Sequence, residues 1–183
     1  GPETSQVWWN KGSFPFPFEL HPSGVFPYGC AAPFSPEVVT GYIQWLGSTQ
    51  SGTVAVLRTS GFSPESISTY AFETAIGQYS TIADAIGDTY ERFGHTFYLL
   101  TFPTANATWA FDTGVPKNMA WHERGTWNVG QMEYDAWRPL YHAFAFGENR
   151  FLDRSSAALY RLNDEVGTDA DGGALRRLRR SPT

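Results

Sequence analysis

The stretch Thr96-Phe97-Tyr98-Leu99-Leu100-Thr101, with the polar turn Pro103 to Ala107 and then Thr108-Trp109-Ala110-Phe111-Asp112, sets the fold. Both runs are rich in aromatic and β-branched or large apolar residues, and the turn between them is short, so they read as paired strands. The pattern occurs twice more. Tyr42-Ile43-Gln44-Trp45-Leu46-Gly47, a turn over Ser48 to Gly52, and Thr53-Val54-Ala55-Val56-Leu57-Arg58 precede it. Tyr141-His142-Ala143-Phe144-Ala145-Phe146-Gly147, a turn over Glu148 to Ser156, and Ala157-Ala158-Leu159-Tyr160-Arg161-Leu162 follow it. The three units lie roughly 45 to 55 residues apart, near the period of a four-stranded propeller blade. The first run of each unit is expected to be an inner strand, and Trp45, Phe97, Leu99, Trp109 and Phe144, at matching places, to be buried.

Outward from these strands, Gly61 to Ser68 and Ala120 to Arg124 read as outer strands of the first two units. Ala85 to Glu91 is expected to pair back across Arg92-Phe93-Gly94-His95 as a hairpin, Gly94 supplying a positive-φ turn residue. Between Ser68 and Asp84 the β pattern breaks: Tyr70, Ala71, Ala75, Ile76, Tyr79 and Ile82 recur at helical spacing, predicting the one short helix, capped by Thr69. Phe14-Pro15-Phe16-Pro17-Phe18 cannot be a central strand, because each proline removes a ladder donor. It is expected to be an extended arm or edge segment laying Phe14, Phe16 and Phe18 on another surface. Residues 1–162 thus form an all-β, propeller-like domain of repeated meander blades, and 163–183 a flexible Arg-rich tail. Val7, Trp8 and Trp9 need covering so near the start that the chain reads as part of a larger propeller.

Composition agrees. Aromatic residues make up 16% of the 183 and charged residues only 17%, against about a quarter in an average domain. Eighteen glycines and twelve prolines punctuate the chain throughout. A net charge of −5 gives no overall basic field for nucleic acid or anionic membranes. No apolar run approaches the roughly 20 residues that span a bilayer, so no membrane anchor is expected. Cys30 is the only cysteine, which excludes an internal disulfide and a multi-cysteine zinc site; it reads as a small buried hydrophobe.

No catalytic constellation is expected. Asp84, Asp88, Glu91, Asp112, Glu123 and Asp135 would be the acids of a hydrolase, but their spacing matches no paired-carboxylate pattern. His21, His95, His122 and His142 form no zinc-binding pair; His95, beside Gly94, is expected to bond backbone. No serine sits in a strand–elbow–helix context, and no glycine-rich phosphate loop or other cofactor site is present. Arg176, Arg177, Arg179 and Arg180 form the one basic patch, a possible contact for DNA or phosphate, though a solvated charge run is the simpler reading.

Gly94-His95-Thr96-Phe97-Tyr98-Leu99-Leu100-Thr101-Phe102-Pro103-Thr104, then Thr108 to Asp112, then Trp121-His122-Glu123-Arg124, resembles the packaged-DNA stabilisation, or tail-hub, proteins of short-tailed bacteriophages. Tyr28-Gly29-Cys30, Trp45-Leu46-Gly47 and Ser63 to Thr69 fit the same order of motifs, so the resemblance spans roughly residues 3–162. These are strand motifs and speak to a fold family, not to a catalytic site. Family members are longer, Thr113 to Met119 lengthens one turn, and the Arg-rich end matches nothing in the pattern. The resemblance implies a non-enzymatic virion protein without cofactor, made in the host cytoplasm. It would form a hexameric ring below the portal and adaptor, close the channel on packaged DNA, and attach tail needle and tailspikes. A carbohydrate-binding or glycan-hydrolysing β-propeller, whose exposed aromatics stack on sugars, is the alternative.

Overall fold

A computed structural model describes residues 1, 3–49, 51–163, 165–168 and 172–176. Two strands come first, β1 (Ser5–Asn10) and β2 (Phe18–Phe26), paired only with each other. Three antiparallel meanders follow. The first sheet has four strands, β3 (Glu37–Val39), β4 (Tyr42–Ser48), β5 (Val54–Ser60) and β6 (Ser63–Ser66). Helix α1 (Tyr70–Ile76) leads into a five-stranded sheet: β7 (Ile86–Arg92), β8 (His95–Phe102), β9 (Ala107–Asp112), the single-turn helix α2 (Lys117–Ala120), β10 (Trp121–Asn128) and β11 (Glu133–Ala136). The third sheet has three strands, β12 (Pro139–Ala145), β13 (Glu148–Asp153) and β14 (Leu159–Arg161).

The first strands of successive sheets meet: β3 packs against β7, and β7 against β12. Sheets stacked face to face about adjacent first strands are propeller-blade packing. The second sheet is therefore buried on both faces, and period-2 alternation divides its side chains between two cores. Tyr98, Leu100, Phe102 and Phe111 face the first sheet, meeting Leu46, Val56 and, from α1, Phe72 and Ile76. Leu99 and Ala110 face the third sheet and meet Phe151. A third cluster, Trp45, Ala55 and Leu57, is covered by Phe26, Tyr28 and Cys30. Cys30 is only half-buried, and its thiol donates to Ala32 O at 3.1 Å.

The true repeat is marked by turns. Each first strand joins its second through a two-residue turn with both φ angles positive: Thr40-Gly41 (50°, 83°), Phe93-Gly94 (53°, 77°) and Phe146-Gly147 (56°, 76°). Gly41 to Gly94 and Gly94 to Gly147 are each 53 residues. Turns of this hand match the twist of the strands they join and favour glycine in the second place.

This register corrects the sequence reading: β4 and β8, expected as inner strands, are the second strands of their sheets, and the third unit is shifted by one strand. Glu148 to Ser156, expected as a turn, contains the second strand β13, and Tyr141 to Ala145 is a first strand, equivalent to β7 and not to β8. Phe144, expected to be buried, is accordingly 70% exposed at the free end of that strand. Trp45 and Leu99 are buried as expected, while Phe97 and Trp109 are half-buried. The helix is shorter than its periodicity suggested: Thr69 Oγ1 accepts from Phe72 N at 3.4 Å, but Tyr79 and Ile82 lie beyond its last turn and pack on the core from irregular backbone. Phe14 to Phe18 is the loop closing the β1–β2 hairpin, with Lys11 N donating to Pro17 O at 2.8 Å, and Phe18 opens β2.

Candidate functional site

The β1–β2 hairpin carries five exposed aromatic side chains, Trp8, Trp9, Phe14, Phe16 and Phe18. Cross-strand pairs Trp8↔Leu20 and Asn10↔Phe18 put these side chains on one face, and Phe16 meets Trp8 edge-on at 6.3 Å and Phe18 at 5.8 Å. On the other face Lys11 bridges Glu19 and covers Trp9. There His21 stacks on Phe62 at 3.8 Å, tying the hairpin to the β5–β6 turn. Phe14, Phe16 and Phe18 remain 97%, 62% and 45% exposed. An apolar patch of this kind marks a contact surface more often than chance exposure does.

A second cluster lies where the second and third sheets meet. The β8–β9 register brings the start of one strand beside the end of the other, and His95 Nδ1 donates to the Asp112 carboxylate at 2.8 and 2.9 Å. The expected backbone bond of His95 is thus replaced by a side-chain one. Gly114 leaves the ring its room, since a Cβ there would fall 2.5 Å from Nδ1, and its N–H also donates to Asp112 at 2.8 Å. Next to this pair the Arg124 guanidinium lies 4.7 Å from the Phe97 ring centre, 5.0 Å from Trp137 and 5.3 Å from Tyr90, and it donates to the Tyr90 hydroxyl. Burial, and then the charge of Arg124, hold His122 below the ordinary imidazole range. A neutral His122 can accept from Arg124 Nε at 3.3 Å. Tyr90, Arg92, Phe93, His95, Phe97 and Arg124 border an open cleft of about 400 Å³.

The inner strands meet over carboxylates. Tyr98 Oη donates to Ser35 O at 2.7 Å, fixing the approach to β3. Asp88 on β7 accepts from Thr89 N at 2.9 Å, while its Oδ2 is buried without a partner. Burial, reinforced by the charge of Glu37 on β3 and opposed by the N–H groups of Thr89 and His142, pushes Asp88 up to about 6. Burial raises Glu37 as well. The folded state thus holds the Asp88 proton more tightly than the unfolded chain does. Its stabilising contribution is complete below the unfolded value near 3.8 and is lost as pH rises through about 6. Asp88→Asn is therefore expected to raise stability at pH 7.5 by about 1 kcal/mol, after allowance for partial solvent screening. The gain should shrink toward zero by pH 4; urea unfolding at both pH values checks it, and an equal effect at both would contradict it.

Asp84 and Asp135 serve local structure. Asp84 Oδ2 accepts from Thr104 N at 2.8 Å, and Asp135 accepts from Asn106 and Asn128 at 2.6 and 2.9 Å. Among the described residues no three His, Cys, Asp or Glu side chains converge on a metal position. Of the predicted basic patch, Arg176 lies 3.9 Å above the Trp127 ring; Arg177, Arg179 and Arg180 lie outside the described residues. Sequence reasoning missed Arg124 and the Asp112 partner of His95. A strand register would have found the second, since residues flanking a hairpin's far end face one another.

Comparison with individually curated proteins returns no match. The family described as Bacteriophage P22 Gp10, β-propeller, matches residues 1–167 of the 183. That span takes in the hairpin, all three meanders and the cleft, and the stacked meanders are the fold its description states. This chain belongs to the bacteriophage P22 Gp10 β-propeller family.

Proposed function

We propose that this chain works as a tail-hub structural protein, closing the portal channel on packaged DNA and carrying tail needle and tailspikes within a homo-oligomeric ring. Membership of a phage structural family supports the virion setting. The observation that carries the mechanical reading is the β1–β2 hairpin: its strands pair only with each other, and Trp8, Phe16 and Phe18 on its aromatic face stay exposed. Large rings dominate interface energies when a partner desolvates them, and prolines 15 and 17 restrict the loop that presents them, so little further entropy is lost on docking. The work of such a hub is contact, not side-chain chemistry.

Particles assembled with the Phe16→Ala, Phe18→Ala double variant test this. Both rings are exposed, so the isolated variant should keep its far-ultraviolet circular dichroism and its thermal midpoint. Hub incorporation should fall and DNA leakage rise. Full incorporation and normal DNA retention in a correctly folded variant would remove the hairpin as an assembly contact.

A further inference from the structure

A short signature recurs with the turn glycines. Four residues after each of them stands an aromatic ring and five after it a leucine: Trp45-Leu46, Tyr98-Leu99 and Phe151-Leu152. Successive strand residues point to opposite faces, so each ring looks back along the stack of sheets and each leucine looks forward. Leu46, with Val56 across from it, is buried in one cluster with Tyr98 of the second sheet. Leu99, with Ala110 across from it, is buried in one cluster with Phe151 of the third. Both interfaces thus set an aromatic ring of one sheet on a leucine row of the sheet before it. The backward side of the first sheet is closed from within the chain, since Phe26, Tyr28 and Cys30 cover Trp45 and Leu57.

The forward row of the third sheet differs. Leu152 stands across from Leu159 on one side and Tyr141 on the other. These three are 41%, 60% and 49% exposed, whereas the matching Leu46, Val56, Leu99 and Ala110 are at most 2% exposed. Two residues along, the same face turns charged, with Arg150 and Arg161 both paired to Glu148. A narrow apolar row edged by charge is the anatomy of an interface core and its rim. We propose that this row seats a fourth β-sheet of the same repeat, supplied by none of the described residues. Its second strand brings an aromatic ring, four residues after a turn glycine, onto Leu152 and Leu159. A second copy stacked in the same sense would not serve, because Phe26 and Tyr28 already occupy its backward face. The assignment stands on the repeat and is independent of the hub role and of the hairpin contact.

The test is a photo-crosslink. The full chain, with p-benzoylphenylalanine in place of Tyr141, is produced in host cells during phage infection and irradiated there. Mass spectrometry should map the adduct to a peptide outside residues 1–183 that carries a glycine, an aromatic residue four places on and a leucine after it. Leu152→Lys, at an exposed position, should keep the far-ultraviolet circular dichroism of the isolated chain. It should cut the adduct at least about tenfold, because the stacked sheet would bury an unpaired ammonium. Leu159→Lys, on the edge strand β14, repeats the measurement should Leu152→Lys not fold. No adduct, an adduct within residues 1–183 of a second copy, an adduct on a peptide without the signature, or an undiminished yield in the folded lysine variant would each overturn the proposal.

Discussion

Replacing Phe72 with alanine is expected to lower the free energy of unfolding by about 3–5 kcal/mol, the range for emptying a large buried aromatic site. Phe72 is fully buried between α1 and the second sheet, stacked on Trp121 at 4.2 Å and edge-on to Trp109 at 5.2 Å. Neither tryptophan is free to close the gap. Trp121 Nε1 donates to Ile67 O at 2.9 Å and Trp109 Nε1 to Tyr79 Oη at 3.0 Å, so collapse would break one of these bonds. Phe144→Ala is the matched control: the same deletion at an exposed position should change stability by less than about 0.5 kcal/mol. Urea unfolding of both variants at constant m-value separates the two. A loss below about 1 kcal/mol at Phe72 would mean that α1 does not pack as described.

The contrast between Phe72 and Phe144 shows which parts of the fold were legible in the sequence. Strands announce themselves by composition, and β4, β5, β8 and β9 were readable because each is flanked by turn residues and carries apolar side chains at both parities. Their place within a sheet is not compositional. Tyr141 to Phe146 has the aromatic content of β8, yet it is a first strand, and only the turn after it reveals that. The turn residues were in plain view as Thr40-Gly41, Phe93-Gly94 and Phe146-Gly147. Two have phenylalanine where asparagine or aspartate would signal such a turn, so the 53-residue interval was hidden by the residue that makes the turns unusual. Tyr79 and Ile82 misled differently: burial against one core surface imposed helix-like spacing on a stretch whose backbone leaves the helix at Gly77.

The site was legible by residue type and not by geometry. The exposed phenylalanines of the hairpin follow from prolines that bar a central strand, a local argument that needs no tertiary contact. Arg124 could not be found that way. Its three aromatic partners come from β7, β8 and the segment after β11, which only the pairing order of the second sheet brings within reach of β10. Asp88 is alike: its neighbours Glu37 and His142 belong to the first strands of the two flanking sheets.

The junction of those first strands should also be the place least tolerant of added volume. Gly87→Ala is expected to cost about 3 kcal/mol, the upper part of the overpacking range. A Cβ on Gly87 would drive into the Ser35 carbonyl, 2.9 Å from its carbon, and lie 3.2 Å from Glu37 Cγ. Backbone on that side cannot step back cheaply. Ser35 Oγ donates to Ala32 O at 2.8 Å and accepts from Leu46 N at 3.0 Å, Ser35 O accepts from Tyr98 Oη at 2.7 Å, and Gly87 N itself donates to Phe34 O at 2.8 Å. Gly167→Ala, where a Cβ meets nothing within 4 Å, should be nearly neutral and controls for the general effect of removing glycine. Tyr98→Phe separates strain at this junction from damage elsewhere. Alone, it leaves the buried Ser35 carbonyl short of a donor and should cost about 1–3 kcal/mol. In the Gly87→Ala background the carbonyl has already been displaced, so the same change should cost at least about 0.5 kcal/mol less. Strictly additive losses in the double variant would show that Gly87 and Tyr98 do not share the Ser35 contact, and that the first and second sheets are joined some other way.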